Sequence, residues 1–293
     1  MDAGLQDDLL ESLDLGDVEL PVLVFGGPYG NLEATRALFD EADRLGIPSG
    51  RMICTGDTVA YCADPAATVD LLRGRGVPVL MGNCEENLAM GAADCGCGFE
   101  DGTACDLLSQ QWYSFCVSEI GADDRLWMAS LPRRIELRLG GARFSVVHGA
   151  ASGMSTFVFG STDEAEKANE IALTGADGVL AGHCGLPFTQ VVRGQVWHNA
   201  GVIGMPANDG TPRVWYSLIE AGQDGALRFI HRTLAYDAAA AAEKMRRRGL
   251  PEGYADCLQS GLWPSLDVLP AAEREGTGVP LHPSDVEWAP VTA

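Results

Sequence analysis

The chain has few basic side chains for its 293 residues: 20 Lys and Arg stand against 41 Asp and Glu, which gives a formal net charge of −21 at pH 7. A surface of this sign repels a phosphate backbone, so binding to nucleic acid through charge is not expected. Long apolar runs and a basic leader are also missing, and residues 1–20 are acidic. We therefore expect neither a signal peptide nor a membrane partner, and we predict a cytoplasmic protein whose oligomeric state the sequence leaves open.

Nine cysteines are an odd number in a chain without a recognisable export signal, so reduced thiols are the expectation. Seven fall within one third of the chain, namely Cys54, Cys62, Cys84, Cys95, Cys97, Cys105 and Cys116. For Cys95, Cys97 and Cys105 we favour buried, reduced side chains over thiolate ligands of a soft metal such as zinc or iron. Their spacing is not that of a standard zinc ribbon.

Five short apolar runs each end at a glycine, and four of them end beside a polar side chain. Such runs predict buried strands of an α/β fold, whose ligand crevice lies outside the carboxyl ends of the strands. The polar residues at these ends are Asp57, Asn83, His148 and His183. Oxygen and imidazole ligands suit a divalent metal, so the sequence predicts one metal site formed by residues far apart in the chain.

The order of the remaining patterns predicts two sheets with helices outside them. Residues 21–81 form a βαβαβ pattern, which implies parallel strands, and Leu32–Leu45 has helical spacing of its apolar residues. Gly140 and Gly141 predict a hairpin turn between two later strands. We expect one sheet to be largely parallel and the other largely antiparallel.

We divide the chain into three segments. Residues 1–20 are an acidic lead-in, residues 21–235 form the main domain, and residues 236–293 form a helical extension that packs on it. No internal repeat is present in the sequence.

The strand-end motifs, in the order Gly-Asp, Gly-Asn, His-Gly and Gly-His, resemble those of the calcineurin-like metallophosphoesterase superfamily, especially its small bacterial phosphodiesterases and phosphatases. The resemblance spans roughly residues 21–220. It implies the α/β fold class and a four-layer α/β/β/α sandwich of two mixed sheets and flanking helices. It also implies a hydrolase that cleaves a phosphomonoester or phosphodiester of a small phosphorylated substrate by metal-activated water.

The family builds two metal sites, and this sequence keeps the ligands of one. The retained ligands are Asp57, Asn83, His148 and His183. The second site would share Asp57, but its other three ligands are replaced by Gly27, Tyr29 and Gly185. The resemblance therefore implies one divalent ion per chain, namely Zn, Mn or Fe.

The residues that follow the Gly-Asn motif are predicted to assist catalysis. The family has a histidine at the position of Cys84, and Glu85 keeps the acidic position after it. Either residue is predicted to assist proton transfer, and Cys84 is alternatively a fifth metal ligand.

Two other functions stay open. The first is a catalytically inactive relative that binds one metal and a phosphorylated ligand or partner. The second is a soft-metal or redox protein that uses the cysteine-rich loop of Cys95, Cys97 and Cys105, and ligation by Cys62, Cys84 or Cys184 also stays open. Two weaker candidates accompany them: His198, at a strand end, and Tyr29, which either donates a hydrogen bond to substrate or fills the volume of the lost metal.

Overall fold

The computed structural model describes residues 12–98 and 102–290, and within them eleven strands form two sheets. The strands in chain order are β1 (Ser12–Asp17), β2 (Val22–Phe25), β3 (Met52–Cys54), β4 (Arg134–Leu139), β5 (Ala142–Val146), β6 (Gly178–Ala181), β7 (Pro187–Val192), β8 (Gln195–Ala200), β9 (Val214–Ala221), β10 (Leu227–Leu234) and β11 (Val286–Trp288). One sheet has the order β1-β4-β5-β6-β8-β7, and the other has the order β11-β10-β9-β2-β3.

The helices lie mainly between or after these strands. They are α1 (Leu32–Leu45), α2 (Pro65–Arg75), α3 (Asn83–Met90), α4 (Ala104–Glu119), α5 (Ala122–Ala129), α6 (Glu164–Thr174), α7 (Ala238–Arg247), α8 (Glu252–Ser260) and α9 (Ala271–Glu275). The predicted helix Leu32–Leu45 is confirmed, with the side chain of Asn31 accepting from Ala34 N–H at its start and Gly46 in the left-handed conformation at its end.

The two sheets face each other across an apolar core that contains Val24 of β2 and Phe144 of β5. On the outer face of the five-stranded sheet, α1 and α2 bury residues such as Leu38 and Leu72. On the outer face of the six-stranded sheet, α6 buries Ile171. The predicted α/β/β/α sandwich is therefore confirmed, because each sheet buries one face on its partner and the other on helices.

Both sheets are mixed, as the resemblance implied, and their balance agrees with the expectation: parallel pairs predominate in the six-stranded sheet and antiparallel pairs in the five-stranded sheet. In the six-stranded sheet, β4 and β5 form the predicted antiparallel hairpin, while β6 pairs in parallel with β5 and β8. In the five-stranded sheet, β2 is parallel to β3 and antiparallel to β9. Insertion of β2 between these two strands is a long-range pairing that local patterns do not encode.

The third strand predicted in the first βαβαβ pattern is only a single bridge between Cys54 and Val79. Leu80 N–H still donates to Cys54 O, but the next N–H on that side, that of Gly82, donates to the side chain of Glu85, so the pairing ends there. The helix α3 begins directly afterwards.

The ends of the described chain also join the sheets. In the predicted lead-in, Ser12–Asp17 pairs in parallel with β4, whereas residues 1–11 lie outside the described residues. In the predicted extension, α7 and α8 pack in a cluster with α4, and β11 pairs with β10. The division of the chain into three segments stays a prediction. Among the described helices, none has the length and apolar character needed to cross a bilayer.

Candidate metal centre

Four predicted ligands meet around Nε2 of His148. This atom lies 3.2 Å from Asp57 Oδ2, 3.1 Å from Asn83 Oδ1 and 3.2 Å from His183 Nδ1. Ligand atoms of Asp57, His148 and His183 all lie within 4.8 Å of one another. The structure therefore brings together all four residues, which are separated by up to 126 positions in the sequence (183 − 57 = 126).

Each ligand is held by the segment that follows a strand or begins a helix. Asp57 and His183 lie just beyond β3 and β6 and have positive φ angles of 55° and 60°. Non-glycine residues in this conformation are uncommon and occur preferentially where the surrounding structure fixes a functional side chain. The Asn83 amide is fixed by donation from Nδ2 to Cys95 O at 2.9 Å, which leaves Oδ1 facing His148.

The arrangement fits a bound cation because several acceptors face one another. His148 Nδ1 lies 2.7 Å from Thr55 O, and donation to this carbonyl leaves Nε2 as an acceptor in the neutral ring. That nitrogen then faces oxygens of Asp57 and Asn83, which also have lone pairs. In addition, Nε2 of His183 is buried without a hydrogen-bond partner among the described residues.

In the absence of a metal, Asp57 and His148 stabilise a shared proton between them, so a metal ion would compete with that proton for the same ligand atoms. Burial raises the pKa of Asp57, but the charge of His148 and its hydrogen bond outweigh burial and leave the pKa below its ordinary value. Burial lowers the pKa of His148, but Asp57 outweighs it and the pKa is raised. Burial and the neighbouring His148 lower the pKa of His183 to about 3, so this ring is a neutral ligand near pH 7.

Glu85, one of the two predicted proton-transfer residues, is fully buried and holds the loop that carries Asp57. Its Oε2 accepts from the N–H groups of Asp57 and Gly82, both at 2.9 Å. Its Oε1 accepts from the N–H and the hydroxyl of Thr58, both at 2.7 Å. Both oxygens are thus occupied by protein donors.

Cys84, the other predicted proton-transfer residue, contacts the candidate metal ligand Asp57. Its N–H donates to Asp57 Oδ1 at 3.2 Å, and its side chain is buried. Burial, reinforced by the nearby carboxylate of Asp57, raises the pKa of the thiol well above its ordinary value. Cys84 therefore carries a neutral thiol, and its main-chain N–H supports the position of Asp57.

The cysteines do not form a ligand cluster of their own. Within the described ranges, one group of three or more His, Cys, Asp and Glu ligand atoms is close enough to hold an ion, and it contains no thiol. Cys184 Sγ instead accepts from Asn199 Nδ2 at 3.2 Å, and Cys62 Sγ lies 3.7 Å from Gly204 O.

The expectation of reduced thiols is wrong for one pair, because Cys95 and Cys97 form a disulfide with their Cα atoms 5.3 Å apart. This separation lies in the usual range for disulfides, and Gly96 between the two residues has a positive φ of 61°. The other seven cysteines are free and buried.

His198 lies outside the metal cluster. It is completely buried between the sheets, where Nε2 lies 2.6 Å from Ser217 Oγ and Nδ1 lies 2.8 Å from Thr189 Oγ1. It therefore has the environment of a hydrogen-bonded core histidine.

We call Asp57, Asn83, His148 and His183 the intact half of the site, and Gly27, Tyr29 and Gly185 the vacated half. In the vacated half, aromatic rings cover the glycines. A Cβ atom on Gly27 would lie 2.5 Å from Cζ of Tyr29, so the tyrosine ring occupies the space that a side chain at position 27 needs. A Cβ atom on Gly185 would lie 3.3 Å from Cζ2 of Trp263.

A cavity of about 80 Å³ adjoins both halves. Five aromatic side chains line this aromatic cavity, namely Tyr29, Tyr61, Phe157, Tyr254 and Trp263. Asp57 and His183 of the intact half also reach it. Of the aromatic residues, only Tyr29 was a candidate from sequence, because the others lie in segments without any recognisable motif.

No protein-family model and no curated protein matches the sequence. Among solved structures, a metallophosphoesterase from Sphaerobacter thermophilus is similar with a TM-score of 0.64 and 20% identity, covering 84% of this chain and 100% of that one. A hypothetical protein from Pyrococcus horikoshii OT3 is similar with a TM-score of 0.70 and 17% identity, covering 83% of this chain and 99% of that one.

These similarities, at low sequence identity, establish the fold. The class is an α/β/β/α sandwich with a candidate metal site at the ends of its strands. More specifically, the fold is that of the metallophosphoesterases, and the resemblance noted from the motifs is confirmed at that level.

Proposed function

We propose that the chain is a metal-dependent phosphoesterase that uses one divalent ion, Zn, Mn or Fe, to hydrolyse a small phosphomonoester or phosphodiester. The observation that carries the proposal is the convergence of the intact half on His148 Nε2, in the fold of the metallophosphoesterases. One ion is favoured over two because the Tyr29 ring fills the space above Gly27.

When bound, the ion would act as a Lewis acid and lower the pKa of a coordinated water from about 15.7 towards 7. The intact half would hold the ion, and Thr55 O would fix the tautomer and orientation of His148. Since Glu85 accepts four hydrogen bonds from the loops beside Asp57, we assign it a positioning role. The neutral thiol of Cys84 has the proton needed for donation, but the main-chain N–H of this residue holds Asp57, which favours a positioning role for Cys84 as well.

A second candidate is a protein that binds metal and ligand without catalysis. It is favoured by the chemistry of the aromatic cavity, because none of its described lining residues is Lys or Arg. A phosphoryl group would then depend on the metal alone for stabilisation of its charge in the transition state.

The experiment that separates these functions combines metal analysis with activity. Purified full-length protein is stripped with a chelator, reloaded with Zn²⁺, Mn²⁺ or Fe²⁺, and assayed with p-nitrophenyl phosphate and bis-p-nitrophenyl phosphate. We expect one bound ion per chain and hydrolysis that disappears on chelation. One bound ion without turnover under any metal would support the non-catalytic function, and failure to bind any metal would contradict both.

A further inference from the structure

The disulfide between Cys95 and Cys97 lies directly against a ligand of the intact half. Asn83 Nδ2 donates to Cys95 O at 2.9 Å and lies 3.4 Å from Cys97 Sγ. The same amide directs its Oδ1 to His148 Nε2 at 3.1 Å. The two disulfide residues therefore help to decide which end of the Asn83 amide points at the candidate metal position.

The loop that carries the disulfide is also connected to His183. Ser155 Oγ donates to Gly96 O, between the two cysteines, at 2.5 Å. Two residues further along, the ring of Phe157 packs on that of His183 with the centroids 4.1 Å apart. A displacement of the loop would therefore reach a second ligand of the intact half through a short chain of contacts.

The disulfide belongs to a surface loop. Cys95 and Cys97 are themselves buried, at 3% and 6% exposure, but Asp94 before them and Gly98 after them are exposed. Residues 94–98 also line a groove of about 940 Å³. A small reductant therefore reaches the bond through a local movement of this loop, without any opening of the core.

Breaking the bond changes the space that the two sulfur atoms need. Bonded sulfur atoms lie about 2 Å apart, whereas non-bonded heavy atoms need about 3.5 Å or more, so at least one side chain must move on reduction. Cys97 also lines the aromatic cavity, whose volume of about 80 Å³ exceeds the roughly 10–15 Å³ needed to hold one water. Its thiol can move into that space, which takes it away from Asn83 Nδ2.

We propose that Cys95 and Cys97 form a redox-active site that controls the affinity of the intact half for its metal ion. The proposal rests on the metal site of the proposed function and is independent of the hydrolysis assigned to that site. In the oxidised form, the disulfide holds the loop against Asn83 and fixes the direction of its amide. In the reduced form, the loop and the amide gain freedom, and the ion is bound more weakly.

The reductant is a thiol. Its thiolate attacks one sulfur of the pair, which breaks the bond between Cys95 and Cys97 and forms a mixed disulfide. A second thiol of the reductant then displaces the protein from that mixed disulfide. In total, the two cysteines gain two electrons and two protons, and two reductant thiols are oxidised to a disulfide.

The main test compares metal binding in the two redox states. Full-length protein is stripped of metal and studied either oxidised or reduced with dithiothreitol, which is then removed under argon. Mn²⁺ is the probe because thiols attract it less than Zn²⁺, so a new sulfur ligand would not mask the effect on Asn83. We expect calorimetry to give a Kd about tenfold higher for the reduced form, since groups that orient a metal ligand are typically worth roughly 10–100-fold in affinity. An equal or lower Kd would overturn the proposal.

A variant without the disulfide provides a second measure. The double variant Cys95→Ser, Cys97→Ser should bind Mn²⁺ about tenfold more weakly than the oxidised wild type, and dithiothreitol should leave its Kd unchanged. Cys105→Ser is the matched control and should keep the redox response, because Cys105 lines the same cavity as a free thiol. A folded double variant that binds as tightly as the oxidised wild type would contradict the proposal. If it does not fold, the comparison of the wild-type states still decides.

A count of thiols tests the bond itself. Alkylation of the denatured protein should label seven cysteines in the oxidised form and all nine after reduction. Nine labelled cysteines after treatment with a mild oxidant would overturn the proposal.

The outcomes also separate this proposal from the proposed function. Equal Mn²⁺ binding in both redox states, with hydrolysis of p-nitrophenyl phosphate, would overturn the redox control and leave the phosphoesterase function standing. Redox-dependent Mn²⁺ binding without hydrolysis would support the redox control and contradict the phosphoesterase function. No metal binding in either state would contradict both.

Discussion

The intact and vacated halves both adjoin the aromatic cavity, but the intact half consists of polar side chains and the vacated half of glycines and an aromatic ring. In the intact half, polar side chains project into a common point and are fixed by hydrogen bonds, such as that from Asn83 to Cys95 O. In the vacated half, the ligand positions are glycines, and the rings of Tyr29 and Trp263 pack against them. The difference teaches that the second site implied by the resemblance is not merely short of ligands in this chain. Its space belongs to aromatic side chains, so restoring one ligand alone cannot restore the site.

The largest effect is expected from removing a ligand of the intact half. His183→Ala should weaken Zn²⁺ or Mn²⁺ binding at least ~100-fold, since it removes an imidazole whose outer-shell partners alone are typically worth 10–100-fold. Calorimetric titration of the stripped protein measures this. His282→Ala, at an exposed histidine, should bind metal like the wild type. Unchanged affinity in His183→Ala would show that these four residues are not the metal site.

The next effect is a loss of stability on changing Glu85, which holds the loop that carries Asp57. Glu85→Gln replaces one acceptor oxygen by an amide donor that faces protein donors, so it should lower the free energy of unfolding by about 3 kcal/mol. Urea unfolding measures the change. Glu86→Gln is the neighbouring control: its carboxylate pairs with Arg133 near the surface and should cost less than about 1 kcal/mol. Equal losses in the two variants would argue against a special role for Glu85.

A smaller effect is expected from the coupling of two residues in the vacated half. Gly27→Ala should destabilise the protein by about 3 kcal/mol, because its Cβ overlaps the Tyr29 ring and the backbone has a φ of 38°. Adding Tyr29→Ala removes the overlap, so a double-mutant cycle should give a coupling of about 2 kcal/mol. Strictly additive losses would mean that the ring does not exclude a side chain at position 27.

The smallest expected effect is the difference in stability loss between alanine substitutions at two glycines with similar backbone conformations. Gly185 has a φ of 75° and would place a Cβ 3.3 Å from Trp263, whereas Gly249 has a φ of 69° and nothing within 4 Å. Both alanine variants should cost about 1 kcal/mol for the left-handed backbone, with Gly185→Ala about 0.5 kcal/mol worse. Thermal unfolding of the two variants under one condition measures the difference. A larger loss in Gly249→Ala would contradict close packing of Trp263 on the vacated half.

Much of the intact half was predictable because each of its residues belongs to a short sequence motif at the end of a predicted strand. Each ligand follows a short apolar run, and carboxyl ends of strands meet at one edge of a sheet, so Asp57 and His148 were expected to converge. The role of Glu85 was harder to predict. Its acidic character gave a proton-transfer hypothesis, whereas its four donors come from residues 57, 58 and 82 and are visible only when the loops pack.

The amino-acid sequence by itself determined the fold class, through the spacing of apolar residues, and the identity of the metal-ligand candidates, through the residues at strand ends. Tertiary structure decided what packs at the glycine positions of the vacated half. Trp263 reaches Gly185 across 78 residues (263 − 185 = 78), and Tyr254 joins Tyr61 in the same wall. Such contacts depend on how the C-terminal helices pack against the sandwich, and no local pattern encodes the distance between two segments so far apart in the chain.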